Sequence, residues 1–142
     1  VAEMWPFLFS INKEEIMRHY HSLRKTKDFR LVYRNGKSKA NKYLVFYYRK
    51  NSLEYNRLGI SVSKKVGNSV VRHRVTRLIR ESYRLNQENL KIGYDIVVVA
   101  RNTARDLDYR KMESAFLHLA GLHNLRRAKD IEESTNCNHS IL

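Results

Sequence analysis

The stretch YDIVVVA, residues 94–100, limits the possible architecture more than any other part of the chain. An apolar run without alternation has no polar face to offer water, so a strand built from it must be covered on both sides. Such a strand needs a sheet with helices packed against it. TKDFRLVYRNG predicts the first helix, with Thr26 available as an N-cap and Gly36 suited to a left-handed C′ position. ANKYLVFYYRK (40–50) predicts a strand that sets Tyr43, Val45 and Tyr47 against Leu44, Phe46 and Tyr48. NRLGISVSK (56–64) alternates Leu58, Ile60 and Val62 with Gly59, Ser61 and Ser63, and the short KNSLEYN connection predicts that these two strands form an antiparallel hairpin. A second helix is expected from about Ser69 to Leu85. A third carries Tyr109, Met112, Phe116, Leu119 and Leu122 at helical spacing and begins near Asp106 or Asp108.

The order is helix, strand, strand, helix, strand, helix, with room for one further short strand. That is an α+β fold with a mixed sheet. No repeat and no Pro/Gly-rich linker divides the chain, so one domain is expected over residues 22–123. Residues 1–21 form an N-terminal extension, with NKEEIMRHYH predicting a short helix begun by Asn12, and 124–142 are expected to be a flexible tail. The apolar WPFLFSI is too short to span a bilayer and lacks the flanks of a secretory signal. The lone Cys137 excludes an internal disulfide and fits a reducing cytoplasmic setting.

Charge narrows the function. Across 142 residues, 28 Lys and Arg face 14 Asp and Glu, a net +14, while 42% of residues are hydrophobic. A folded domain that basic attracts polyanions, with nucleic acid first and an anionic membrane second. The charge is densest in KKVGNSVVRHRVTRLIRESYR, residues 64–84. At roughly 100° per residue, Val71, Val75, Leu78, Ile79, Ser82 and Leu85 share one arc, with Tyr83 at its edge. His73, Arg77, Arg80 and Arg84 fall on the opposite side, Arg74 flanks them, and Glu81 alone interrupts the row. Arg72 lies nearer the apolar arc at the first turn. Planar, permanently charged guanidinium groups fork onto phosphate oxygens, so the row suits a structured phosphate surface. Lys64 and Lys65 extend it, and Asn68 stands at a helix N-terminus, where backbone N–H groups also receive phosphate. An ordinary solvated helix face would mix signs. A membrane-surface helix would carry Trp or Phe on its apolar side, whereas this one is mostly β-branched and lies between strands that need covering.

SVSKKVGNSVVRHRVTRLIRE resembles the signature of the bacterial ribonuclease P protein family, with Arg72, Arg74, Arg77 and Arg80 at the matching basic positions. His73 replaces the usual asparagine there and Thr76 the usual lysine. LRKTKDFRLVYRNGKSKANKYLVFYY and YDIVVVARNTA extend the resemblance to about residues 22–123. It implies a ribosomal-protein-like fold whose strand–helix–strand crossover is left-handed, against the general right-handed rule. It also implies a function: binding the catalytic RNA subunit and the single-stranded 5′ leader of precursor tRNA while that RNA, with its Mg²⁺, removes the leader. The arginine-rich helix would contact the RNA subunit. A cleft between the first helix and the sheet would hold the leader, at positions matching Phe29, Tyr33 and Tyr47. Neither a membrane nor a small-molecule substrate enters this expectation.

The residues support the leader site on their own terms. Phe29 and Tyr33 lie four apart on one helix face, and Tyr43 and Tyr47 share a strand face. Bases stack on such rings whatever their sequence, with Lys27, Arg30, Arg34 and Lys37 nearby for phosphates and Ser61 and Ser63 on the neighbouring strand. No catalytic site of the chain's own is visible. The acids are dispersed, the histidines keep no metal-ligand spacing with a cysteine, and KKVGNSVV lacks the spacing of a phosphate-binding loop. A ribosomal-type rRNA-binding protein remains the alternative, with a protein-only nuclease behind it.

Overall fold

The structure is a computed structural model describing residues 21–127. The helix expected from Asn12 lies outside the described residues, as does most of the expected tail. The elements run β1 (His21–Ser22), α1 (Thr26–Asn35), β2 (Lys37–Ala40), β3 (Leu44–Lys50), β4 (Arg57–Ser61), α2 (Ser69–Asn86), β5 (Tyr94–Ala100) and α3 (Tyr109–Leu122), with short 3-10 turns at Gln87–Asn89 and Asn102–Asp106.

The strands form one mixed sheet in the order β1-β4-β5-β3-β2. β5 lies between β4, which it pairs in parallel, and β3, which it pairs antiparallel. The expected β3–β4 hairpin is therefore wrong. Ile96, Val97 and Val98 are fully buried, and only a central position covers both edges and both faces of such a strand. The hairpin partner of β3 is β2, the further short strand. β2 is exposed throughout and carries Lys37 and Lys39, a composition that blunts an open edge. Residues 51–56 instead carry the chain across the start of β5. There the Asn51 N–H donates to the Gly93 carbonyl (2.9 Å), while buried Asn56 donates to the Lys91 carbonyl (2.8 Å) and accepts from the Tyr94 N–H (2.9 Å).

The sheet separates two cores. On one face Leu44, Phe46, Leu58, Ile96 and Val98 meet Val75, Ile79 and Tyr83 of α2 and Met112, Phe116 and Leu119 of α3. On the other, Val97, Leu23 and Val32 of α1 form a smaller core, with Phe29, Tyr47 and Val99 half-buried against it. α2 begins where expected. Leu85, assigned to its apolar arc, is 57% exposed, whereas Tyr83 at the arc's other edge is buried against Phe116 of α3, so the buried arc is turned toward the Tyr83 side.

The caps differ from expectation in α1. Lys25, not Thr26, is the N-cap, with no side-chain cap bond. Gly36 is extended (φ −83°), not left-handed. It is small for another reason: a Cβ there would lie 2.4 Å from the Val32 carbonyl oxygen and 2.7 Å from that of Tyr48. In α3, Asp108 is the cap, accepting from the Lys111 N–H at 2.9 Å. The fold also continues past the boundary set at 123. Leu125 is buried, its carbonyl accepts from the Lys91 N–H (2.6 Å), and Arg126 bridges to Leu90.

Candidate nucleic-acid interface

α2 carries the basic surface. Asn68 caps it through its side-chain oxygen, which accepts from the Val71 N–H at 3.0 Å. Lys64 and Lys65 are exposed in the turn before it. His73, Arg74, Arg77 and Arg80 are exposed along the helix, as their spacing predicts. The row is not uniformly free, however. Arg74 Nη2 donates to the Leu107 carbonyl (3.0 Å), fastening α2 to the entry of α3. Arg84 is paired with Glu81 at 2.5 Å, so the one acid in the row neutralises its neighbour rather than dividing the surface. Among the described residues, Arg77 and Arg80 are left as the uncommitted pair.

Arg72 turns inward. With His73, Thr76, Ser69, Ile60 and Val62 it lines a cleft of about 310 Å³ between α2 and the end of β4, and its Nε is buried without a partner among the described residues. Thr76, one of the two departures from the family signature, donates its hydroxyl to the Arg72 carbonyl at 2.8 Å.

The opposite face of the sheet carries the rings. Tyr33 lies edge-on to Tyr47, with centroids 5.0 Å apart, and 6.4 Å from Phe29. Phe29 rests over Gly59, where a Cβ would come within 2.6 Å of its ring. That glycine is what lets α1 settle on β4. Tyr33 is 40% exposed, so it is a surface group as well as a packing one. Partial burial pushes its phenol above the ordinary value, opposed by the neighbouring Ser61 hydroxyl. Val99 is half-buried against the same cluster, and sequence reasoning missed it because an unbroken apolar run hides which residues face which side.

Other candidates stand apart from the rings. Lys27, Arg30 and Arg34 are exposed and lie opposite buried Val32 on α1, so they face outward rather than toward Tyr47. Lys37 pairs with Tyr48 and Ser38 with Tyr47, so register sends Lys37 to the far face, where its charge acts on His123. Tyr43, expected beside Tyr47, precedes β3 and packs against the larger core. His123, just past the end of α3, is buried, and its Nε2–H donates to the Phe46 carbonyl at 3.1 Å. Among the described residues, no three His, Cys, Asp or Glu side chains gather as a metal site, and no helix is long and apolar enough to cross a membrane.

The basic helix thus lies on one face of the mixed sheet and the clustered rings on the other. The sequence profile of the family described as Ribonuclease P matches residues 17–123. The chain belongs to that family. It is 61% identical over 104 residues to the ribonuclease P protein component of Lachnoclostridium phytofermentans, covering 73% of this chain and 90% of that protein. With the corresponding protein of Alkaliphilus oremlandii it shares 55% identity, over 77% of this chain and 96% of the relative. The solved RNase P protein of Staphylococcus aureus superposes with a TM-score of 0.70 at 33% identity, over 75% of this chain and 98% of that one. For the Thermotoga maritima RNase P protein the TM-score is 0.66 at 36% identity, over 70% and 94%. Family membership decides against the ribosomal-type alternative.

Proposed function

We propose that this chain, as the protein component of a bacterial ribonuclease P, holds two RNA strands at once on opposite faces of its sheet. The observation that carries this reading is the separation of the two surfaces. Uncommitted guanidinium groups at Arg77 and Arg80 lie on the α2 side, and Tyr33, Tyr47 and Phe29 lie on the α1 side. Arginine forks suit the folded RNA subunit, whose phosphates stand at fixed positions. Rings that stack on any base suit a single-stranded 5′ leader, whose sequence varies between precursor tRNAs. Lys64, Lys65, His73 and the Asn68-capped helix end widen the first surface. Lys27, Arg30 and Arg34, facing outward on α1, raise the leader's local concentration through their field rather than by direct contact with the stacked bases.

In this division of labour the RNA subunit and its Mg²⁺ cleave the phosphodiester. The protein's own groups orient strands and lower the repulsion between them, which reduces the Mg²⁺ needed for productive binding. The test is a reconstitution at low Mg²⁺ with a bacterial ribonuclease P RNA and precursor tRNA, with and without this chain. Leader removal should be slow with RNA alone, absent with protein alone and fast with both. Cleavage by the protein alone, or no stimulation of the RNA, would reject the proposal.

A further inference from the structure

Beyond these two surfaces, a groove of about 270 Å³ runs between α3 and the β2–β3 turn, lined by Asn41, Lys42, Tyr43, Lys111, Ser114 and His118. We propose that this groove is a third docking site for RNA, taking a phosphate between Lys42 and Lys111 and a base against Tyr43. The proposal rests on the RNA-binding role above.

The turn that forms one wall is held unusually firmly for a surface turn. Asn41 accepts from the N–H groups of Tyr43 (3.0 Å) and Leu44 (2.8 Å) and donates across the groove to the Ala115 carbonyl (2.9 Å). The Arg101 side chain donates to the Asn41 carbonyl (2.9 Å), Thr103 to that of Lys42 (2.5 Å), and the Arg101 N–H to that of Tyr43 (2.9 Å). All three carbonyls of the turn are thus engaged, and the groove is preformed, so little ordering entropy is lost when a ligand enters.

Its charge is unbalanced. Among the described residues no carboxylate pairs with Lys42 or Lys111. No acid lines the groove; of the nearest ones, Asp108 caps α3 and Glu113 accepts from Tyr109 and Asn86. Lys42 Nζ lies 5.6 Å from the centroid of the Tyr43 ring, so a cation and a half-buried aromatic face the same space. Phosphate plus base meets that pair better than an acidic peptide, which would leave the ring unused. The groove also lies on the same side of the sheet as α2, beyond the Arg74–Leu107 bond and exposed Arg110, so an RNA held at Arg77 and Arg80 can continue along α3 to reach it.

The experiment uses the full chain with ribonuclease P RNA and precursor tRNA. Lys42→Ala with Lys111→Ala should flatten the log–log salt dependence of RNA binding by roughly 0.7–0.9 per lost phosphate contact, with an unchanged melting temperature. A photo-crosslinker on Ser114→Cys, in a Cys137→Ser background, should form an adduct with RNA. Whether that adduct maps to the RNA subunit or to precursor tRNA identifies the strand, and either supports the site. An unchanged slope and no adduct, while Arg77→Ala with Arg80→Ala still flattens the slope, would overturn this site and leave the proposed function standing. If neither pair of substitutions changes the slope, the RNA-binding reading itself falls, and this site with it.

Discussion

Tyr47 packs edge-on to Tyr33 yet keeps part of its ring exposed, so its loss should cost contact with the leader more than stability. Tyr47→Ala is expected to weaken holoenzyme binding of leader-bearing precursor tRNA by about 1–3 kcal/mol, the range for one stacked base, and to spare mature tRNA. Equal losses for the two substrates would remove Tyr47 from the leader site. His123 makes a different kind of prediction. Burial holds its imidazole below the ordinary value of 6.5, aided by the charges of Lys39 and Lys37 and opposed by the bond to Phe46. The unfolded chain therefore binds a proton that the folded chain rejects. The contribution of neutral His123 is complete above about pH 6.5 and is lost as pH falls below it. Thermal melting should drop between pH 7.5 and 5.5, and His123→Gln, which can still donate to the Phe46 carbonyl, should flatten that drop. An identical pH profile in the variant would exclude His123 as the cause.

At the scale of elements, α2 shows how much of a surface is legible from spacing. Helical periodicity placed His73, Arg77 and Arg80 outward and Val75 and Ile79 inward, because 3.6 residues per turn leaves few other ways to bury an apolar arc. It did not show that Arg74 is fastened to Leu107 or Arg84 to Glu81, since those bonds depend on where α3 and each rotamer sit. Function should follow the structure here. Arg77→Ala with Arg80→Ala is expected to flatten the salt dependence of RNA-subunit binding by roughly 0.7–0.9 per lost contact. Arg84→Ala, whose charge is already countered by Glu81, should change that slope by less. Equal effects from Arg77, Arg80 and Arg84 would mean that the Glu81 pair opens when RNA binds.

Across the whole molecule, the α1 surface is tied to the central strand by an ion-pair network that no motif announced. Asp95, only 1% exposed on the central strand, accepts from Arg57 Nε (2.8 Å), Arg57 Nη2 (2.6 Å) and Asn51 (2.9 Å), while Arg57 also reaches Asp28 of α1 at 3.7 Å. Arg57→Ala would strand a buried carboxylate and release α1, at a cost of about 3–5 kcal/mol measured by denaturant unfolding. A loss below about 1 kcal/mol would show that water replaces the guanidinium and that the network does not hold the helix. The sequence by itself determined the α+β class, the helices and the outward arginine row, because periodicity and charge are local properties of a chain. The family signature was local too. Only the tertiary structure decided that β5 separates β3 from β4, that Lys37 lies across the sheet from Tyr47, and that Asp95 meets Arg57. Strand order and register are settled by which pairing buries an all-apolar strand on both faces, a competition among distant segments that no short window of residues contains.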